Sequence, residues 1–94
     1  MLEKHIEQKL VQAVHRMGGL APKFISPGWA GAPDRLVLLP GGRLAFVEVK
    51  APGKTLRPLQ VRQKGQLEAL GFRVYCVDRL EQIPEILNEG GDAQ

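Results

Sequence analysis

The chain has 94 residues, of which 44% are hydrophobic and 24% charged, and its net charge is +3. That length suits one compact domain over 1–94 with little left for a second, and a domain this small gains from pairing with a copy of itself. No run approaches the roughly 20 apolar residues that span a bilayer, the start Met1-Leu2-Glu3-Lys4-His5 has no apolar signal core, and the single Cys76 cannot form an internal disulfide, so a reduced, cytoplasmic protein without membrane contact is expected.

Residues 2–17 read as a helix. Ile6, Leu10, Ala13, Val14 and Met17 recur at spacings of three and four and form one apolar stripe. Gly18-Gly19 then stops it. Glu7 sits one residue off the stripe, beside Leu10, Val11 and Val14, and would flank the core. Leu20 to Ile25 is read as a short strand, followed by a Pro- and Gly-rich loop up to Pro33. Trp29, the only tryptophan, lies in this loop. It either covers the core or stacks on a base, and the first is favoured.

Residues 34–39 and 43–50 read as two strands of a hairpin joined at Pro40-Gly41-Gly42. Side chains alternate between faces, so register decides which residues meet. A three-residue loop pairs Leu39 with Arg43 and sets Asp34 opposite Glu48 on one face. A two-residue loop would place them on opposite faces. A helix is expected from Pro58 to about Ala69, with proline in its first turn and Gly71 after its end. The run from Phe72 to Val77 is strongly strand-forming, with Cys76 as a core residue. Asp78 can cap a last helix near Leu80–Leu87, which Pro84 shortens or delays. Gly90 to Gln94 reads as a frayed tail. The element order is α-β-β-β-α-β-α. The helical crossover from the Lys50 strand to the Phe72 strand allows those two to lie parallel.

Charge is unevenly spread. Between Val49 and Leu67 there are five bases (Lys50, Lys54, Arg57, Arg62 and Lys64) and no acid. From Asp78 onward there are five acids and one base. A basic middle fits a phosphate-backbone partner or a solvated helix face.

Two carboxylates facing each other across a sheet repel, and one tends to stay protonated. A divalent cation removes the conflict, and oxygen ligands suit Mg²⁺ or Mn²⁺. Lys50 projects from the same face as Glu48 and can orient a water or stabilise charge on a phosphate. The Val49 carbonyl lies between them as a further oxygen ligand. Together these residues make a kit for metal-assisted phosphodiester hydrolysis. The plain alternative is a strand end reaching solvent, where charges are ordinary.

The full constellation resembles the PD-(D/E)xK nuclease superfamily: Pro33-Asp34, a hairpin, then Glu48-Val49-Lys50. Glu7, Ser26 before the Gly-containing loop, and Gln60 ten residues beyond Lys50 extend the match. The chain is most similar to the short, stand-alone, phage-type members of the VRR-NUC domain family. The resemblance rests on Gly18-Gly19, Pro33-Asp34-Arg35-Leu36-Val37, Val47 to Gly53, and Pro58-Leu59-Gln60, and covers about residues 3–80. It implies an α/β fold with a restriction-endonuclease-like core, a small mixed sheet flanked by helices. It further implies a metal-dependent, phage- or prophage-encoded DNA endonuclease that cuts branched DNA such as Holliday junctions as a homodimer. Asp34, Glu48 and the Val49 carbonyl would hold Mg²⁺ or Mn²⁺. Glu7 would act as an outer ligand, although Glu3 lies one turn away on the same side. Lys50 would polarise water, and Gln60 would orient Lys50 or a phosphate. Ser26, Lys54, Arg57, Arg62 and Lys64 would face DNA. A nick, flap or end-processing nuclease and a non-catalytic DNA-binding module are the alternatives.

Overall fold

The computed structural model describes residues 2–89. The expected frayed tail lies outside the described residues. In chain order the elements are α1 (Glu3–Arg16), β1 (Arg35–Leu39), β2 (Arg43–Val49), α2 (Pro58–Ala69), β3 (Arg73–Val77), a single 3₁₀ turn (Leu80–Gln82) and α3 (Ile83–Glu89). They build a small mixed sheet in the order β1-β2-β3, flanked by helices. β1 and β2 are antiparallel, and β2 and β3 are parallel across the α2 crossover.

α1 ends as its glycines dictate. Gly18 adopts a positive φ of 83°. Its N–H bonds the His15 carbonyl and the Gly19 N–H bonds that of Val14, a paired closure of the last turn. Ile6, Leu10, Ala13 and Val14 are buried as the stripe demands. Met17, one turn further, is instead 39% exposed, because the chain turns away directly after it.

The stretch from Leu20 to Phe24 runs antiparallel along β1, but only through isolated bridges, Leu20 to Leu38 and Lys23 to Arg35. Leu20 and Leu38 exchange both backbone bonds, and the Leu36 N–H bonds the Pro22 carbonyl. Pro22 has no N–H to return. The expected first strand is thus an edge ribbon interrupted by its own proline, and the regular sheet has three strands.

The hairpin has the three-residue loop. Leu39 pairs with Arg43 and Arg35 with Val47, so one step further out Asp34 stands opposite Glu48. After β3, Asp78 does not cap the following helix. The Gln82 side chain accepts the N–H groups of Asp78 and Arg79 instead, and Asp78 accepts the Gly53 N–H at 3.2 Å. The delayed start of α3 at Ile83 places Pro84 in the first turn, where proline is tolerated.

The sheet separates two clusters. Val37, Leu39, Ala45, Val47, Val49 and Val77 pack with α1 and with Ile83 and Ile86 of α3. On the other face Phe46, Leu67 and Val74 form a smaller cluster, joined by Phe24, Trp29, Leu36 and Leu44. Trp29 therefore covers the core. Phe24 and Phe72 each meet Phe46 edge to face, with ring centroids 5.6 Å apart.

Candidate active site

The antiparallel register and the parallel neighbour bring the site residues together at one end of the sheet. Asp34 enters from the start of β1, and Glu48 and Lys50 from the end of β2. Glu48 is 8% exposed. The Lys50 Nζ lies 3.6 Å from its Oε2, and the Gln60 amide nitrogen donates to the same oxygen at 3.0 Å. The Gln60 carbonyl oxygen accepts the Arg57 backbone N–H at 2.8 Å. Both ends of the Gln60 amide are therefore engaged. These two bonds clamp Glu48 to the first turn of α2.

Asp34 has a different environment. Its carboxyl is pushed up to about 6, first by burial and then by the negative charges of Glu48 and Glu7, while the Val49 backbone N–H bonding to it works the other way. Its Oδ1 is buried without a hydrogen-bond partner. The Glu48 carboxyl is also raised by burial, opposed by Lys50. Glu3 pushes both groups in the same upward direction. An orphaned buried carboxylate oxygen beside a second acid is an unfinished coordination problem, and an all-oxygen donor set fits a hard divalent cation. Among the described residues no three acids, histidines or cysteines converge tightly enough to hold such an ion on their own. Water and a phosphate oxygen could supply the remaining oxygen donors of such a site.

Glu7 is not turned into this cluster. Its Oε2 pairs with Arg35, at 2.7 Å from Nη2 and 3.3 Å from Nε. Arg35 is 9% exposed and also donates through Nη1 to the Ala21 carbonyl. Sequence reasoning passed over this arginine. The available signal was a charge at a core position of the alternation Arg35, Val37, Leu39, with an acid just off the α1 stripe to receive it.

Of the expected DNA-facing residues, Lys54, Arg57 and Arg62 are exposed. Lys64 is half-buried and pairs with Glu68 at 2.8 Å, so part of its charge is already offset. Ser26 is half-buried, and its carbonyl accepts the Trp29 N–H. The loop after Ser26 is pinned to α2. The Gln63 amide donates to the Ala30 carbonyl at 2.8 Å. A Cβ on Gly31, whose φ is +84°, would come within 2.7 Å of Leu59. Cys76 pairs in register with Glu48; burial and nearby acids raise its thiol, which fits an inert role.

No family model matches the chain. Over 76 residues it is 51% identical to "Putative nuclease p44" of Acyrthosiphon pisum secondary endosymbiont phage 1, which is 81% of this chain and 82% of that protein. A solved structure described as "VRR_NUC domain" superposes with a TM-score of 0.86 at 28% identity, covering 95% of this chain and 98% of that one.

Proposed function

The chain belongs to the VRR-NUC family, and on that premise we propose that it is a divalent-metal-dependent DNA endonuclease acting on branched DNA. The observation that supports this most is the opposed pair Asp34 and Glu48, with one orphaned buried oxygen and Lys50 beside it. A protein that only bound DNA would gain nothing from two acids set against each other.

Asp34, Glu48 and the Val49 carbonyl would hold Mg²⁺ or Mn²⁺. Such an ion, when bound, lowers the pKa of a water and offsets phosphate charge. Glu7 acts from outside the inner shell through water. Lys50 orients the attacking water and faces the charge that builds on the phosphate. Gln60 holds Glu48 in its rotamer. Lys54, Arg57 and Arg62 contact backbone phosphates, with Lys64 contributing less, and Ser26 and its loop border the site. Backbone contacts of this kind make binding salt-dependent and weakly sequence-specific.

The preferred substrate is a four-way Holliday junction cut by a homodimer. Resolution needs two symmetric cuts, one such domain has one site, and a C2 pair supplies two of matching polarity. The single domain over 1–94 is the catalytic unit, and it serves recombination or repair of phage or prophage DNA in the cytoplasm of the host. The test is cleavage of a synthetic four-way junction with Mg²⁺ or Mn²⁺, beside nicked, flapped and linear duplexes. Junction cleavage that disappears in Lys50→Ala is expected; a fully active Lys50→Ala protein defeats the reading.

A further inference from the structure

Directly after Lys50 the chain makes a tight turn, and the end of β3 holds this segment at two points. The Lys50 N–H donates to the Val77 carbonyl at 2.8 Å, and the Lys54 N–H returns to the Ala51 carbonyl at 3.0 Å. Gly53 has a φ of +81°, which, with Pro52 before it, makes residues 51–54 a type II turn. Relative to the commoner type I, the central amide of that turn is flipped, and its N–H belongs to Gly53. This N–H donates to the Asp78 Oδ2 at 3.2 Å, while Oδ1 lies 3.7 Å from the Arg79 Nε. The turn brings the Lys54 Cα back to within about 7 Å of that of Ala51, beside Lys50, and Lys54 is exposed.

We propose that Asp78 is a positioning residue for DNA binding: by holding the Gly53 N–H it locks the turn in its flipped form and so presents Lys54 to the DNA backbone next to Lys50. The proposal rests on the DNA-endonuclease reading above. A type I turn would swing the Gly53 N–H away and set the Pro52 carbonyl oxygen toward the Asp78 carboxylate. An ionised acceptor makes the stronger bond, so Asp78 selects the flipped form. A Cβ on Gly53 would meet nothing within 4 Å, so glycine is required there by its positive φ and not by space. The sign of the effect separates this role from that of a bystander. An acid near a phosphate-binding lysine repels DNA, so removing a bystander tightens binding. Removing a positioning acid weakens it.

The experiment is binding of a fluorescent four-way junction to the full chain, followed by anisotropy without divalent ions so that no cleavage intervenes, with folding checked by circular dichroism. Asp78→Ala should weaken binding at least about threefold, a part of one charge-assisted contact, and should flatten the dependence of log K on log salt by up to about one phosphate contact. Asp78→Asn keeps an acceptor for the Gly53 N–H and sheds the repelling charge, so it should bind at least as tightly as the wild type. Gly53→Ala strains the turn without filling occupied space. It should reproduce the loss, and it decides the matter if Asp78→Ala does not fold. In a Lys54→Ala background, Asp78→Ala should cause no further loss. Wild-type or tighter binding in Asp78→Ala (or in Gly53→Ala where only that variant folds), a loss in Asp78→Asn equal to that in Asp78→Ala, or an undiminished loss without Lys54 overturns the proposal and leaves the nuclease reading standing. A wild-type protein that binds neither the junction nor linear duplex overturns both.

Discussion

The two faces of the sheet obey different rules. Toward α1 and α3 the contacts are almost wholly apolar, from Ile6 and Leu10 to Val47, Val77 and Ile86, and nearly all of these are sealed from solvent. Toward α2, the helix buries Gln60 and Gln63 alongside Leu67 and leaves Leu59, Val61 and Leu70 exposed. An inward face of two glutamines is a poor way to gain hydrophobic stability, but it holds polar atoms in fixed places. One glutamine grips Glu48 and the other grips the Trp29 loop. The first face makes the protein fold; the second places charges that would otherwise repel.

The sharpest way to break that contrast is to exchange charge for shape at the site. Lys50→Ala, Asp34→Asn and Glu48→Gln should each lower junction cleavage by about 10³-fold or more, the scale of losing a transition-state electrostatic contact. Melting temperature should separate these from structural damage. Asp34→Asn relieves the repulsion with Glu48 and should melt no lower than the wild type without metal. A large fall in its melting point would mean that Asp34 is structural.

The apolar face should respond in the reverse manner. Leu10→Ala empties a fully buried position and should cost about 3 kcal/mol of unfolding free energy, measured by denaturant titration. The remaining folded fraction should bind Mn²⁺ with unchanged affinity. Gln60→Leu is the intermediate case. It keeps the volume but removes the donor to Glu48 and the acceptor for the Arg57 N–H, a loss of about 1–2 kcal/mol. Here, unlike Leu10→Ala, metal affinity should fall together with stability. Weakened stability with unchanged metal affinity would show that Gln60 supports α2 and not the site.

How much of this was legible in the sequence follows the same division. The α1 stripe, the hairpin register and the crossover were readable because hydrophobic period and turn length fix them locally. The opposition of Asp34 and Glu48 came with the register. The Arg35–Glu7 and Gln60–Glu48 contacts were not, because each is defined by a side chain reaching an element distant in the chain: Glu7 is 28 residues away from Arg35 and Glu48 is 12 away from Gln60. Pattern reading finds the face a residue occupies, not the partner it selects there. Asp78 shows the same limit. Its capping chemistry was plausible, yet Gln82 took the donors and left Asp78 to hold Gly53.

The smallest expected effect lies in the pH dependence of the metal-free protein, and its sign is opposite to that of most acids. In the folded chain Asp34 titrates at about 6, above its ordinary 3.8, so the native state binds the proton more tightly than the unfolded one. Its contribution to stability is full below pH 3.8 and is lost as pH rises toward 6 and beyond. Glu48 is shifted in the same direction and adds to the slope. The metal-free melting temperature should therefore decline between about pH 4 and 7, and Asp34→Asn should flatten the decline. Mg²⁺ at pH 7 should restore the loss, because cation binding requires the carboxylates that the apolar surroundings disfavour. A melting temperature that rises across that interval, as it does when acids are held in salt bridges, would place the balance of the molecule's acids on the stabilising side and end the distinction between its two faces.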